Sequence, residues 1–193
     1  AERGMVAEEG DVTVLFADLS GFTSMAESLH AGDVIQVLNQ VFERLTRSVF
    51  ELDGTLDKFR GDGMMAFFGA PLPMSDHAER AVEAALRMQE ALAELSGRSS
   101  NPHPLSMRIG INSGAVVVGD IGTPQRKDYT VIGDTVNIAS RLESAVARPG
   151  EIVIGFETWR RVHALFRCEP LEPVRVKGKT QAVQPYRVLA RLT

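Results

Sequence analysis

The spacing of apolar residues predicts alternating strands and helices in the first third of the chain. Residues 12–17 are β-branched or apolar nearly throughout, which is typical of a buried central strand. A tight turn containing Gly21 leads from this strand into a short helix that ends at Leu29. Apolar side chains at helical spacing between Val34 and Val49 predict a second helix, which Gly54 stops.

The rest of the chain continues this alternation, with glycine and proline marking the connections. Strands are predicted at residues 55–60, 64–68, 105–112, 115–118 and 129–132, with one turn at 61–63 and a second hairpin around Ser113 and Gly114. Helices are predicted from Ser75 or Asp76 to a polar loop at 97–104, from Gly133 to about Val146, and over 156–165.

This order of elements predicts an α+β fold. A βαββαβ unit with additional strands and helices is its natural arrangement, which is a ferredoxin-like core. Residues 1–10 are polar and small, so we expect a flexible N-terminal end or linker there, followed by a single domain over residues 11–193. The chain is therefore expected to be a piece of a longer protein.

Composition and charge limit the classes of partner that the chain can bind. Of the 193 residues, 44% are hydrophobic and 24% are charged, and the net charge of −4 disfavours nucleic-acid binding, which needs a basic surface. Because no apolar run reaches membrane-spanning length, no direct membrane contact is expected. The lone Cys168 cannot form an internal disulfide, which favours a cytoplasmic location, either free or as part of a larger, membrane-anchored protein.

Two aspartates stand where phosphate and metal chemistry is possible. Asp18 ends the predicted central strand, before a turn (Gly21, Phe22, Thr23) whose successive backbone N–H groups favour an anion such as a phosphate. A carboxylate beside such a cradle can hold Mg²⁺. Asp62 lies between two glycines in the turn at 61–63. Taken alone, Asp18 can equally be a helix cap and Asp62 an ordinary turn residue.

Other polar residues carry weaker signals. Lys58 lies on the strand before the turn at 61–63, where it can also be a solvated lysine. Asn137 and Arg141 are four residues apart in a predicted helix and share one face, which suits a polar ligand, a subunit contact or a simple surface pair. Residues 176–180 end like a P-loop, but Pro173 stands where that motif needs glycine, so a P-loop nucleoside triphosphatase is excluded.

Four segments, in order and with their internal spacings kept, resemble the motifs of the class III nucleotidyl cyclases. They are residues 14–23 (VLFADLSGFT), 57–66 (DKFRGDGMMA), 108–114 (RIGINSG) and 129–142 (YTVIGDTVNIASRL). The resemblance extends over roughly residues 12–190. It implies a cyclase catalytic domain over residues 11–193 that converts ATP to 3′,5′-cyclic AMP and pyrophosphate by in-line attack of the ribose 3′-oxygen.

The resemblance also implies a metal and phosphate site. Asp18 and Asp62 match the two metal-binding aspartates of the family, with the Leu19 carbonyl as an additional ligand, and would hold two divalent ions, Mg²⁺ or Mn²⁺. Lys177 matches the lysine that reaches the terminal phosphates. Ala115 departs from the family, because some members have an arginine there that meets the phosphates.

Base selection follows from two matching positions. Lys58 matches the base-recognising lysine and Thr130 the second base-recognising residue, as in a threonine-type subgroup of the adenylyl cyclases. Adenine offers an acceptor at N1, to which lysine can donate, and a donor at N6, from which threonine can accept. Many adenylyl cyclases have aspartate at the second position, and Asp128, two residues earlier, is an alternative to Thr130. Guanylyl cyclases carry an acidic residue in place of Lys58.

The remaining match concerns the transition state and the oligomer. Asn137 and Arg141 match residues that steady the ribose and the transition state. In the family the metal aspartates come from one subunit and the base and transition-state residues from its partner. Because this chain carries both sets, a symmetric homodimer is predicted, fused to or regulated by a sensor domain. The alternatives are a guanylyl cyclase and a non-catalytic nucleotide-binding regulatory module of the same fold.

Overall fold

The computed structural model describes residues 7–60, 63–98, 105–178 and 181–193, and the account below refers to these residues alone. Within them, one sheet contains eight strands: β1 (Glu8–Ser20), β2 (Thr55–Arg60), β3 (Gly63–Phe68), β4 (Ser106–Thr123), β5 (Arg126–Ile132), β6 (Ile152–Ile154), β7 (Phe166–Pro170) and β8 (Tyr186–Arg191). The helices are α1 (Phe22–Ser28), α2 (Ala31–Glu51), α3 (His77–Arg98), α4 (Asp134–Arg141) and α5 (Phe156–Val162), and a π-helical segment, Leu142–Val146, follows α4.

The strand order confirms the predicted fold class. The first four strands lie in the order β2-β3-β1-β4, and each neighbouring pair is antiparallel, as in a ferredoxin-like core. Strand β6 adds to β4 in parallel, and β8 and β7 extend the sheet beyond it. Strand β5 pairs with the C-terminal part of β4 and forms a hairpin with it.

The two faces of β1 are buried against different layers. Leu15 and Ala17 belong to the larger core, which lies against α2 and α3. Val12 and Val14 point to the opposite face and pack with residues of the β4–β5 hairpin and of α4, among them Val118. Because side chains alternate along a strand, Asp18 is on the same face as Val14, the face that carries α4.

The predicted hairpin around Ser113 and Gly114 is wrong. Strand β4 runs without a break through these residues, which pair with Thr13 and Val12 of β1. The turn comes later, at residues 124–125, between β4 and β5. A glycine beside a serine resembles a turn in sequence, but the backbone hydrogen bonds to the long β1 strand keep this stretch extended.

Other boundaries also differ from their predictions. Glu8–Gly10, expected in the flexible end, belong to β1 because they pair with residues 116–118 of β4. Helix α3 continues to Arg98, into the predicted polar loop, of which residues 99–104 lie outside the described residues.

Cys168 is a free thiol, and burial raises its pKa. None of the helices in the described residues is long and apolar enough to cross a membrane.

Candidate active site

Asp18 lies inside β1 rather than at its end. Its cross-strand neighbours are Gly63 on β3 and Arg108 on β4. The Asp18 carboxylate is about a quarter exposed, and its Oδ2 accepts a hydrogen bond from the Arg108 Nη2 at 3.0 Å. Asp62 lies outside the described residues, but Gly63, which follows it in the sequence, is the residue directly opposite Asp18.

A glycine in β4 allows a second carboxylate to approach Asp18. A Cβ atom on Gly110 would lie 2.4 Å from the backbone nitrogen of Glu143 and 2.5 Å from the carbonyl oxygen of Ala139. Only glycine permits this close crossing of the π-helical segment over the sheet. It brings the Glu143 carboxylate, 12% exposed, to 3.5 Å from the Arg108 Nη2.

Asp18 and Glu143 line a common cleft of about 210 Å³ between β1, β3 and the end of α4. Carboxylate oxygens are the ligands that Mg²⁺ and Mn²⁺ prefer, so this donor set fits a divalent cation. In the described part of the chain, no three His, Cys, Asp or Glu side chains form a complete metal cluster. The Leu19 side chain is buried and contains no ligand atom, so only the backbone carbonyl of this residue is a candidate ligand.

The predicted phosphate cradle is the N-terminus of α1. Gly21 precedes the helix in the left-handed conformation, with φ of 84°, which favours glycine. Its carbonyl oxygen accepts the first intrahelical bond, from Met25, at 3.1 Å. The Phe22 side chain packs against the main core and Thr23 is exposed. Phe22 can therefore contact a phosphate only through its backbone.

Lys58 and Thr130, both predicted to select the base, meet around one carboxylate. Lys58 lies on β2 and Thr130 on β5, and the Thr130 hydroxyl donates a hydrogen bond to Oδ2 of Asp57. The Lys58 Nζ is 3.8 Å from the other oxygen of the same carboxylate. Tyr129 anchors β5 here, with its ring 6.0 Å from that of Phe67, and burial raises the pKa of its phenol.

Asn137 and Arg141 are both exposed, one turn apart on α4. The opposite side of this helix is buried through Ile138 and Ala139. The two polar side chains therefore point away from the core of their own chain. Both side chains are therefore accessible to a ligand or to another protein chain.

Lys177 is exposed in a turn close to the same helix. Its neighbour Val176 is buried in a small apolar cluster with Ile138 and Leu142. Two side chains of α4 and its continuation thus hold the segment that carries Lys177. The predicted site residues are distributed between the Asp18 cleft, the Asp57 group and the exposed face of α4.

Three residues of the site had no role in the sequence-based prediction. Asp57, Arg108 and Glu143 all lie in or beside the matching motifs, and their positions relative to Lys58 and Asp18 depend on pairing between distant strands. The residue next to Lys58 in a regular strand would point to the other face. Sequence alone gives no signal for the irregularity that turns Asp57 toward Thr130.

Comparisons with known proteins agree with this architecture. Residues 5–189 match the model of the family described as adenylate and guanylate cyclase catalytic domain. The chain is 33% identical over 189 residues to adenylate cyclase 1 of Rhizobium meliloti, an alignment that covers 96% of this chain and 28% of the relative. The chain spans 28–40% of the length of this and the next curated relatives it matches.

Two solved structures extend the comparison to three dimensions. The adenylyl cyclase CyaB from P. aeruginosa superimposes with a TM-score of 0.90 at 36% identity, covering 95% of this chain and 96% of the other. The guanylate cyclase domain of RhGC from Catenaria anguillulae, in complex with GTP, gives 0.84 at 33% identity, with 96% and 100% covered. Because both an adenylyl and a guanylate cyclase match so well, the fold does not select the base.

Proposed function

The chain belongs to the family of adenylate and guanylate cyclase catalytic domains, and on that premise we propose that it converts ATP to 3′,5′-cyclic AMP and pyrophosphate. The observation that carries the choice of ATP is the meeting of Lys58 and Thr130 around Asp57. A lysine can only donate a hydrogen bond, and adenine N1 accepts one. Guanine has a donor at N1, so neither this N–H group nor the Lys58 ammonium would find a partner there.

The size of this discrimination can be estimated. A site that hydrogen-bonds its substrate rejects an analogue with mismatched groups by roughly 10⁴-fold, since the polar groups of the site are left unpaired. The guanylate cyclase that matches this chain makes GTP cyclisation the second candidate. Lys58 argues against it, because the guanylyl cyclases that the motifs resemble have an acidic residue there.

The Asp18 cleft would hold the divalent ions. Asp18, the Leu19 carbonyl and Asp62 are the proposed ligands, which the opposite placement of Asp18 and Gly63 supports. Bound there, Mg²⁺ or Mn²⁺ would neutralise phosphate charge and lower the pKa of the ribose 3′-hydroxyl. In the structure, the same Asp18 carboxylate accepts a hydrogen bond from Arg108.

The chain's own residues position the reaction and stabilise its charge. Arg141 would donate to the α-phosphate as negative charge develops, while Asn137 would hold the ribose so that the 3′-oxygen attacks in line. Lys177 would neutralise the terminal phosphates. The backbone N–H groups at the start of α1, at Phe22 and Thr23, would bind phosphate oxygens.

A homodimer would bring these parts together. Asn137 and Arg141 are exposed, as expected for residues that complete a site on another copy of the chain. The β4–β5 hairpin supports the same arrangement, because its outer surface exposes Val117, Ile121 and Ile132 at 39%, 43% and 50%. Because Val117 pairs directly with Ile132, these side chains share one face of the hairpin, and an exposed aliphatic face suits burial against a second copy.

The partial coverage of its relatives supports a place in a longer protein. A sensor domain fused to the catalytic domain and a cytoplasmic location both stay predictions. A silent regulatory copy of the fold is disfavoured by the retained Asp18, Lys58, Asn137 and Arg141.

A cyclase assay tests the proposal directly. Purified protein is incubated with ATP or GTP, each with Mg²⁺ and with Mn²⁺, and the cyclic nucleotide is quantified by mass spectrometry. We expect cyclic AMP, with a kcat/KM for ATP that exceeds the value for GTP by at least about 10²-fold. Cyclic GMP as the main product would favour the second candidate, and no product under any condition would favour a silent module.

A further inference from the structure

We propose that Asp57 is a positioning residue that makes Thr130 a reader of adenine. Its buried carboxylate takes the only proton of the Thr130 hydroxyl, so that the hydroxyl offers the base nothing but lone pairs. This inference rests on the proposed function, because it concerns the base that Lys58 and Thr130 select. Asp57 lies in one of the four matching motifs, but the resemblance assigns no role to it.

An irregularity in β2 turns Asp57 toward the site. Leu56 pairs with Ala66 and Lys58 pairs with the next residue along β3, Met65, so Asp57 is the extra residue of a β-bulge. Adjacent side chains of a regular strand point to opposite faces, whereas a bulge re-aims one of them. The bulge therefore allows one carboxylate to approach both base-selecting residues.

The Asp57 carboxylate is buried and both of its oxygens are used. Its side chain is 1% exposed, while that of Lys58 beside it is 49% exposed. A buried carboxylate is costly unless hydrogen bonds and opposite charges compensate for the lost water. The Thr130 hydroxyl supplies the hydrogen bond to Oδ2, and the Lys58 ammonium lies 3.8 Å from Oδ1.

This hydrogen bond fixes the polarity of the Thr130 hydroxyl. A free threonine hydroxyl has one proton and two lone pairs, so it can donate to guanine O6 as readily as it accepts from adenine N6. An ionised carboxylate only accepts, so the proton must point to Asp57. Thr130 then acts as a pure acceptor, as an aspartate at the same position would.

Lys58 is constrained by the same group. Its flexible chain ends near Asp57, which lowers the number of positions that its ammonium samples before the base enters. The donor for N1 and the acceptor for N6 are then presented side by side. Loss of the Asp57 charge should therefore weaken ATP binding and lower the discrimination against GTP, with little effect on the chemical step.

The test is Asp57→Asn, which keeps the shape of the side chain and adds a competing donor. We expect kcat/KM for ATP to fall by about 10–10²-fold, mainly through KM, and the ATP:GTP preference to fall at least tenfold. Asp57→Ala removes the carboxylate without adding a donor and should lower the preference in the same direction. Asp53→Asn, an exposed carboxylate paired with Arg80, is the matched control and should leave the preference unchanged.

A double-mutant cycle separates positioning from a general loss of structure. In a Thr130→Val background there is no hydroxyl to orient, so Asp57→Asn should lower the preference much less than in the wild type. Thr130→Ser keeps the hydroxyl and should keep the preference. Circular dichroism and thermal unfolding establish that each variant is folded before its kinetics are compared.

The outcomes distinguish the two proposals. If the wild-type protein forms no cyclic AMP, the proposed function fails whatever the Asp57 variants do. If the wild type is active and both Asp57 variants keep its ATP:GTP preference, the inference about Asp57 is wrong and the function stands. Failure of both Asp57 variants to fold would also overturn the inference, because the role of Asp57 would then be structural.

Discussion

The Arg108 guanidinium lies 3.0 Å from the Asp18 carboxylate, directly across from it in the sheet. It also lies 3.5 Å from the Glu143 carboxylate, so one cation bridges the two acidic groups of the proposed metal cleft. The same carboxylate oxygen that accepts this hydrogen bond is a candidate metal ligand. A cation bound by this oxygen would therefore compete with Arg108 for Asp18.

Replacing Arg108 by methionine should strengthen divalent-ion binding and weaken the fold. We expect the Kd of Mn²⁺ for the nucleotide-free protein to fall about threefold to tenfold, because the competing positive charge is gone. The free energy of unfolding should fall by about 1–3 kcal/mol, because two carboxylates lose their shared partner. Calorimetric titration and urea unfolding measure the two effects. Arg47→Met, at an exposed pair with Glu43, should change neither, and weaker Mn²⁺ binding in Arg108→Met would contradict the competition.

The two base-selecting residues should also determine which nucleotide is used. Lys58→Glu combined with Thr130→Cys replaces a donor and an acceptor by an acceptor and a weak donor. We expect the ratio of kcat/KM for ATP to that for GTP to fall by at least about 10²-fold. Steady-state kinetics with both nucleotides provide the measurement. If the double variant remains active with an unchanged ratio, the base assignment is wrong.

Arg141 should affect the chemical step without affecting the fold. Because its side chain is exposed on α4, Arg141→Ala should remove little packing. We expect kcat to fall by about 10²–10³-fold, the effect of removing one donor to a developing oxyanion, with a smaller change in KM. Arg148→Ala, an exposed arginine beyond the π-helical segment, is the control. Near-normal turnover of Arg141→Ala would remove its proposed role.

A buried polar network lies on the other side of the sheet, outside the proposed site. His77 Nδ1 and the Ser113 hydroxyl each lie 2.7 Å from the Thr13 hydroxyl, and His77 Nε2 lies 3.1 Å from both Asp11 and Arg161. Burial is the main cause that lowers the pKa of His77. The hydrogen bonds from Arg161 are the main cause that lowers the pKa of Asp11.

These shifts predict loss of stability in weak acid. Because the folded protein holds the pKa of His77 below its ordinary value of 6.5, the unfolded chain binds more protons below that pH. The contribution of His77 to the free energy of unfolding should therefore be constant between about pH 7 and pH 8 and fall as the pH is lowered through 6.5. Asp11 adds a further loss below its ordinary value of 3.8. Urea unfolding across this range measures the effect.

Removal of the imidazole should separate its two contributions. His77→Gln should cost about 1–3 kcal/mol at pH 8, where buried hydrogen bonds are lost, and should flatten the pH dependence between pH 7 and pH 5. His30→Gln, at an exposed position, should keep the wild-type pH profile. A profile of His77→Gln as steep as that of the wild type would show that other groups cause the loss.

The local pattern of the sequence was sufficient for the core fold. The apolar faces of β1 and α2 and the order of elements predict the ferredoxin-like core, because burial dictates both periodicities. The continuity of β4 through Ser113 and Gly114 was missed, because it depends on pairing with β1, one hundred residues away. The residue types near Ser113 and Gly114 give no information about such pairing.

The candidate site shows the same limit: its residue types could be predicted from the sequence, but contacts between distant strands could not. The resemblance of the motifs pointed to Lys58 and Thr130, which the structure brings together. The placement of Asp57 beside them depends on the bulge in β2 and on the folding of the β4–β5 hairpin over the sheet. Arg108 and Glu143 required the close crossing at Gly110. Asp62 stays a prediction. Chemistry that depends on contacts between distant strands is therefore the part that sequence reasoning did not reach.

The central claim is that ATP is cyclised at sites shared by two copies of this chain. Asp18→Ala removes a proposed metal ligand and Arg141→Ala removes the proposed transition-state donor, so each variant alone should be nearly inactive. Cyclic AMP formation by the mixed variants, compared with each alone at equal total protein, tests the claim. In a mixed dimer, one site contains neither change, so random exchange should restore about one quarter of wild-type activity. No recovery in mixtures in which heterodimers are demonstrated would contradict the shared site.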